Sequence, residues 1–551
     1  MEFRLLGSVA VGTEAGDLPL GPVKRRSLLA ALLLRPNHPV PLGQLSAALW
    51  DDEPPVRARS VIQGHVSRLR TLLDTAEAGM YGVELTTQGA AYVLRMPERV
   101  HAEPVAAQRL AGLCDGLPLA LRVAAARLAD QPHQTLAAMA DELSDTTRRL
   151  GLLDAEDTGV RAALHLSVRQ LPPGAAHQLA HLGRHPGTHI DRGMAAALAG
   201  TAPAAAETAL DQLAAAHLLT YGGPGRWTLH DLVRLYARDM DTDPDALARV
   251  LDHYIATGLA AARAAEDDGE PCFVTPPDFH RPLDVREFRG RDDAMAWYVA
   301  EREDLTLAAA ASHAAALHSR TWRIVLAMWP LMVWRVLDGW TPLLCTALAA
   351  ARADADPYAQ ARVLALLGWV LTEEGRTSEA LPHLEAAPAL AARSGDRSGQ
   401  ATALVNLSLA QAALGDLDQA ARGCVQAAEL ARTAGDQPTE RLALYHLSRH
   451  QLGAGQWRQA LESTTAAAAL QPPDAPSPSR VLLLAATGEA LVGLGEETEG
   501  IRCLDEAARE AESCGYDDGA ARALGALLQV SADETYRARY DTVRARLAVR
   551  S

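Results

Sequence analysis

The sequence predicts a mainly α-helical chain with an N-terminal winged helix, a helical middle and a C-terminal α-solenoid. Three observations predict it. Residues 1–97 alternate first like strands, then carry three amphipathic helical stretches, and end in a hairpin signal. Gly375, Gly415, Gly455 and Gly495 recur at an interval of 40 residues, as do Ala380, Ala420, Ala460 and Gly500, and as do Gly395 and Gly435. Self-similarity at a fixed interval of this length means stacked helical units. Hydrophobic residues make up 48% of the 551 and aromatics only 4%, a mix that suits helices packed closely through small side chains. A chain of this length is expected to divide into roughly two to four cores.

The elements follow in order. Residues 2–11 alternate and are rich in Val and Leu, which reads as a strand. Leu18 to Gly21 is a second short strand candidate. Lys24 to Leu34 turns helical with Leu28, Leu29, Leu32 and Leu33 on one face, and Pro36 and Pro39 stop it. A second helix runs from Leu42 to Trp50 and ends at the DDEPP cluster, 51–55. A third spans Arg57 to Asp74, with Val61, Ile62, Val66, Leu69 and Leu73 as its inner face. Two strand-like runs then flank Gln88-Gly89, a hairpin signal. Residues 105–240 are helical with Pro/Gly breaks, and 245–350 continue as helices around a proline-rich loop at 271–282. In the repeats a helix, a turn carrying G-R, G-D or G-Q, a second helix and S-G-D or A-G-D recur; the glycines are expected to cap helices at positive φ. The fourth unit is less regular, with QPPDAPSPS at 471–479 in place of its leading turn.

The formal charge of −16 argues against a nucleic-acid binder until it is divided along the chain. Residues 1–100 hold 11 basic and 10 acidic side chains, which leaves 41 basic and 58 acidic for the remainder. DNA contact is therefore expected at the N-terminus, and the acidic remainder faces other partners. The six cysteines are scattered without zinc spacing and read as buried reduced thiols. No apolar run reaches transmembrane length and no leader opens the chain, so a cytoplasmic protein without membrane contact is expected.

The third helix carries the DNA signal. Arg57, Arg59, Arg68 and Arg70 lie in a stretch without an acidic residue, and Ser60, Gln63 and Ser67 share its outer face. Arginine can pair with guanine edges and phosphates, and Gln and Ser can read base edges, so an apolar back with this front suits major-groove insertion. Lys24, Arg25 and Arg26 open the first helix, where side chains and free N–H groups can hold a phosphate. Thr86, Thr87 and Gln88 sit at the wing tip, suited to backbone or minor-groove contact. The competing view is that four arginines on a helix are a solvated face; the strands, the wing and the Lys24–Arg26 cluster weigh against it.

These residues resemble a family. RLLGSVAV, KRRSLLAALLLRPNHPV, LGQLSAALWDDEPPVRARSVIQGHVSRLRTLL and GAAYVLR look like the winged-helix domain of actinobacterial SARP-type regulators, which activate antibiotic gene clusters. That family's wing usually has a G-Y pair; this chain has Gly89-Ala90-Ala91-Tyr92. LCDGLPLALRVAAARLAD at 113–130 resembles the GLPLA helix of NB-ARC signalling ATPases, and RWTLHDLVRLYARD at 226–239 their second, non-DNA-binding winged helix, with His230-Asp231 at the sensor position. DDAMAWYVAEREDLTLAAAAS at 292–312 and the repeats are similar to the linker and tetratricopeptide-like repeats that follow in large members. The resemblance implies a winged-helix domain at 1–97, an NB-ARC-like segment at 105–158, a second winged-helix-like domain at 159–242, a helical linker at 243–350 and a tetratricopeptide-like solenoid at 351–551.

The chain departs from the large members in what it lacks. About fifteen residues separate Leu94 from Leu110, too few for an activation domain or a nucleotide-binding α/β domain. A phosphate-binding loop of the G-x-x-x-x-G-K-[ST] type needs a lysine, and the sole lysine, Lys24, has no such context. ATP hydrolysis is thereby rejected, no cofactor or metal is expected, and His230 and Asp231 read as packing and capping residues. No H-E-x-x-H or G-x-S-x-G occurs, so no enzyme is expected. Trp322, Trp329, Trp334 and Trp340 could line a ligand pocket, but at helical spacing they read as core. The expected partner is promoter double-stranded DNA, with RNA polymerase or another protein on the repeats, and the resemblance adds a homodimer. The function expected is transcription regulation of secondary-metabolite genes; the rival is an interaction scaffold or antagonist without activation and ATP-switch domains.

Overall fold

The computed structural model describes all residues except 1, 5–8, 14–15, 51–53, 56–57, 82, 90, 97–102, 116–117, 132–133, 154–159, 241–242, 266–271, 472–476 and 551. Contacts divide the chain into two compact units, Met1–Gln170 with His230–Tyr236, and Leu171–Leu229 with Ala237–Ser551.

The first unit opens with a three-stranded antiparallel sheet, β1 (Glu2–Arg4), β2 (Ala10–Thr13) and β3 (Gly16–Asp17), in the order β1-β2-β3. Glu2–Arg4 and Ala10–Thr13, expected as parts of one strand, are thus two paired strands, with Phe3 facing Val11 across the ladder. Leu18 and Leu20 lie after β3 and not in a strand of their own; Leu20 drops into the core instead. Three helices follow, α1 (Val23–Leu33), α2 (Leu42–Trp50) and α3 (Ala58–Thr75). A second sheet, β4 (Val40–Pro41), β6 (Ala91–Arg95) and β5 (Glu84–Gln88), has the order β4-β6-β5. Between α1 and β4 the turn needs a left-handed residue, and Asn37 takes it at φ 61°. Its side chain accepts from the Met96 N–H at 2.8 Å and donates to the Met96 carbonyl at 3.2 Å, which ties the turn to the end of the wing. Leu28, Leu29, Leu32, Leu45, Ile62, Leu69 and Leu94 fill the core, each at most 1% exposed. Val61, expected on the inner face of α3, is 36% exposed. It sits away from Ile62, Val66 and Leu69, because the 3.6-residue period leaves no room for both 61 and 62 inside. Helices α4 (Pro104–Leu113), α5 (Pro118–Asp130), α6 (Leu136–Ser144), α7 (Thr146–Leu152) and α8 (Val160–Arg169) complete the unit's main chain run.

The second unit begins with α9 (Pro173–Leu182), β7 (His189–Ile190), α10 (Arg192–Ala199), α11 (Pro203–Ala215), β8 (Leu219–Gly223) and β9 (Arg226–Leu229). The strand order is β7-β9-β8. Element order and pairing repeat those of α1, β4, α2, α3, β5 and β6, so the chain carries the winged-helix pattern twice. Helix α12 (Asp231–Arg238) belongs mostly to the first unit, and the second resumes with α13 (Ala246–Ala265), α14 (Arg291–Ala314), α15 (His318–Ala327), α16 (Trp329–Trp334) and α17 (Thr341–Ala353). Trp322 and Trp340 are buried there, with indole N–H groups donating to Asp354 Oδ2 at 3.2 Å and to the Arg335 carbonyl at 2.6 Å. Trp334 is 54% exposed. Trp322 and Trp340 are thus core residues, as expected, and Trp334 is on the surface.

The repeats are antiparallel helix pairs: α18 (Pro357–Glu373) with α19 (Thr377–Ser394), α20 (Arg397–Ala413) with α21 (Leu417–Ala434), α22 (Gln437–Gly453) with α23 (Trp457–Ala468), α24 (Pro478–Gly493) with α25 (Glu497–Ser513), and α26 (Asp517–Val530) with α27 (Glu534–Arg550). The recurring Gly-Asp signal has a clear cause. Gly395 and Gly435 end their helices at φ 74° and 77°, where a side chain would be strained, and Asp396 and Asp436 then cap the next helix by accepting from Gly399 N–H and Thr439 N–H at 2.8 and 3.0 Å. The recurring small residue sits at a close helix approach: Ala380, Ala420 and Ala460 are fully buried. At Gly500, an added Cβ would lie 2.7 Å from Val492 Cγ2 and 3.0 Å from the Gly488 carbonyl oxygen. Gly500→Ala is therefore expected to lower stability by about 1–3 kcal/mol through overpacking, read as a drop in thermal midpoint, whereas Gly375→Ala would act through backbone strain alone. Of the six cysteines, Cys345 and Cys514 are exposed, which corrects the expectation of six buried thiols; Cys114, Cys424 and Cys503 are buried.

Candidate nucleic-acid interface

Helix α3 is built as an inserting helix should be. Its back, Ile62, Val66, Leu69 and Leu73, is at most 3% exposed. Its front presents Ser60, Gln63, Ser67 and Arg68, all exposed, with Arg59 at its start and Val61, an apolar group of the kind that meets a thymine methyl. Arg57 lies outside the described residues. Within α1, α2 and α3 the only acidic residue is Asp74, near the far end of α3.

Several of the candidate cations are committed within the protein. Arg70 is pinned to the wing: its Nε donates to the Leu85 carbonyl at 2.7 Å, its Nη2 to Thr87 Oγ1 at 2.6 Å, and its guanidinium lies 5.9 Å from the Tyr92 ring centre. It thus fixes the angle between α3 and β5 and holds Thr87 in place. Lys24 donates to the Leu49 carbonyl and lies 5.4 Å from the Trp50 ring centre, closing the end of α2, where carbonyls lack helical partners. Arg25 is 7% exposed, with Nε enclosed and without a hydrogen-bond partner. Arg26 is half-buried with Nε enclosed. Spacing alone could not separate these from outward-facing cations, because what surrounds each of them lies on other elements.

At the wing, Thr86 Oγ1 donates to the Val93 carbonyl across the hairpin at 3.4 Å, while Thr87 and Gln88 are exposed and Gly89 turns the tip at φ 59°. His65, not singled out by the sequence, belongs to the same region. Burial pushes its imidazole pKa down, and the nearby Arg25 and Arg68 push it further. The signal for it was its place one turn before Arg68 on a helix nearly free of acid.

The second winged-helix pattern provides a contrast. Its third helix, α11, carries Glu207 and Asp211 and no basic residue, so it lacks the charge for DNA. His230, at the sensor-like position, has Nδ1 3.1 Å from Asp115 Oδ2, just before the GLPLA turn, and its carbonyl accepts from the Arg234 N–H. Among the described residues no group of three or more His, Cys, Asp or Glu side chains is arranged to hold a metal ion. No helix among them is long and apolar enough to cross a membrane.

Residues 19–94 match the family described as transcriptional regulatory protein, C terminal. The chain is 36% identical over 294 residues to the regulatory protein AfsR of Streptomyces griseus, covering 51% of this chain and 30% of the relative. It is 40% identical over 184 residues to AfsR of Streptomyces coelicolor, covering 31% and 18%. Over 76 residues it is 40% identical to the transcriptional regulatory protein EmbR of Mycobacterium tuberculosis, covering 14% and 20%. The matches thus span less than a third of the length of these relatives. The winged helix with its α3 front and β5–β6 wing is thus the part of the chain that matches this family of transcriptional regulatory domains, and the longest of these similarities is to the AfsR regulatory proteins.

Proposed function

We propose that the chain is a transcription regulator that binds promoter DNA through its N-terminal winged helix, with α3 in the major groove, the wing along the backbone and the repeats holding a protein partner or effector. The observation that carries this is the Arg59–Ser60–Gln63–Ser67–Arg68 front on a well-buried back, in a set of three helices with one acidic residue. Naming of the relatives as regulatory proteins supports it. In this view Arg59 and Arg68 meet phosphates and guanine edges, Gln63, Ser60 and Ser67 read bases, and Thr87 and Gln88 touch the backbone. Lys24 and Arg70 serve the fold of the interface, not the DNA directly. The protein catalyses nothing, works in the cytoplasm, and acts on secondary-metabolite genes, where a homodimer would span repeated half-sites and the repeats would engage RNA polymerase or another protein.

A second view rests on one observation: Leu94 and Leu110 are separated by about fifteen residues, which leaves no room for an activation domain. The chain would then occupy operators as an antagonist, or serve as a scaffold. Binding of the full chain to DNA upstream of its own gene, across a salt series, decides whether it binds DNA. Specific binding should weaken steeply with salt. Arg59→Ala with Arg68→Ala should lower affinity by about tenfold or more and flatten the salt slope by about 1 for each phosphate no longer neutralised. Weak binding, equal for all sequences and unchanged by these substitutions, would sink the regulator view.

A further inference from the structure

The Arg25 side chain is an unusual thing to bury. Its residue is 7% exposed and its Nε is enclosed without a hydrogen-bond partner. An enclosed N–H without a partner is costly, and a crowded guanidinium gains most from an anion beside it. No carboxylate among the described residues does so. The charged groups that face it are of its own sign: Arg68 of α3 lowers its pKa further, after burial itself, and both Arg25 and Arg68 act on His65. Helix α2, packed against both α1 and α3, has no ionisable side chain at all. The backbone is shaped to the same group: Gly21, at φ 78°, stands so close that a Cβ there would be 3.0 Å from Arg25 Nη1. Gly21 and Pro22 lead directly into α1, whose first N–H groups have no helical acceptors.

We propose that Arg25, at the start of α1, and His65 and Arg68 of α3 form a seat for one backbone phosphate of the DNA that α3 enters, and that filling the seat places a proton on His65. This rests on the DNA-binding function argued above and deepens it. The phosphate supplies the anion that the two arginines lack. It also reverses the field at His65. Without it, two cations oppose protonation; with it, an imidazolium beside the phosphate gains a charge-assisted hydrogen bond. The charged groups facing His65 are Arg25 from α1 and Arg68 from its own helix; α2 contributes none. Because protons then bind more tightly to the complex than to the free protein, affinity for DNA rises as pH falls through the histidine range. A shift of one unit in the His65 pKa corresponds to a limit of about tenfold in affinity. The seat reads no sequence, so the effect is equal on operator and on mixed-sequence duplex.

The test uses the full chain and a labelled duplex of mixed sequence, with salt series at about pH 6 and about pH 8. The wild type is expected to bind about three- to tenfold more tightly at the lower pH. His65→Gln is expected to remove that difference, and Arg68→Gln to reduce the salt slope by about 0.9, one phosphate's worth. Arg59→Ala should weaken binding and keep the pH dependence. Arg25→Gln adds a third arm if circular dichroism shows it folded; the other arms decide without it, since His65 is half-buried and Arg68 exposed. A wild type and a His65→Gln variant with the same pH profile, both binding DNA, overturn the seat and leave the DNA function standing. A folded wild type that binds no duplex at either pH overturns both.

Discussion

Asp304→Ala is expected to cost the second unit about 3–5 kcal/mol, the range for breaking a buried, hydrogen-bonded charge site. Asp304 is 1% exposed on α14. Its Oδ1 accepts from the Thr188 N–H at 2.7 Å and from Thr188 Oγ1 at 2.8 Å, and its Oδ2 from the His189 N–H at 3.1 Å. Burial pushes its carboxyl up, but the Thr188 and His189 donors outweigh that and hold it below its ordinary range. The segment it holds is tight, since a Cβ on Gly187 would lie 2.9 Å from Asp304 Cγ. One helical turn earlier, Glu301 is paired with Arg226 of β9, and burial, the dominant cause, lifts its pKa to about 7. Two residues of α14 thus fasten both the entry to β7 and the strand β9 of the second winged-helix pattern. Alanine at 304 removes the acceptor of the Thr188 and His189 N–H groups and of Thr188 Oγ1. Asp304→Asn keeps one carbonyl oxygen and should recover part of the loss. Chemical denaturation of the full chain checks this. A loss below about 1 kcal/mol for the alanine variant would mean that the segment finds other acceptors.

What the sequence told depended on whether a residue's role was set by its neighbours along the chain. The repeats were legible because a Gly-Asp pair acts locally, with positive φ at Gly395 and Gly435 followed by an N-cap at Asp396 and Asp436. The helices α1 to α3 and the Gln88-Gly89 turn were legible for the same reason. The split of residues 2–11 into β1 and β2 was not, since both halves alternate and the register is set by pairing across the turn. At the interface, the buried and exposed sides of α3 followed from periodicity, but the fate of each cation did not. Lys24, Arg25 and Arg70 look alike in sequence; one closes α2, one is buried, and one braces the wing. The hydrogen bonds of Lys24 and Arg70 reach carbonyls 25 and 15 residues away, and no local pattern encodes them. For His65 only half of the setting was legible, Arg68 one turn along its own helix; Arg25 lies on another helix.

Mild acid is expected to destabilise the repeat-bearing unit, because several of its histidines are held neutral. Burial, with help from His450 and Arg449, takes the His446 imidazole down to about 3. Burial and Arg449 take His450 down to about 4. His450 is 5% exposed and bonds Ser408 Oγ at 3.3 Å, so it is the firmer case; His446 keeps part of its surface accessible. Both folded values lie below the unfolded value near 6.5, so the unfolded chain binds protons that the folded chain refuses. Stability is therefore full above that value and falls as pH drops below it, continuing until the folded histidines themselves titrate. At about pH 5 each fully excluded site costs about 2 kcal/mol, so the pair costs about 4 kcal/mol. His253 on α13, 3% exposed and also pushed down by burial, acts in the same direction. Thermal melts followed by circular dichroism between about pH 7.5 and about pH 5 should show a steep drop in midpoint for the wild type. His446→Gln with His450→Gln removes both proton sites from the unfolded chain, so its melting point should vary much less over that interval, even if it starts lower. Parallel curves for the two proteins would show that other groups set the acid response. The interface region moves oppositely when DNA is present: His65 is also held neutral in the free protein, but a phosphate in its seat makes acid favour the bound state. Acid would therefore tighten one unit's hold on DNA under the same conditions that loosen the other, and comparing melts with and without duplex separates the two effects.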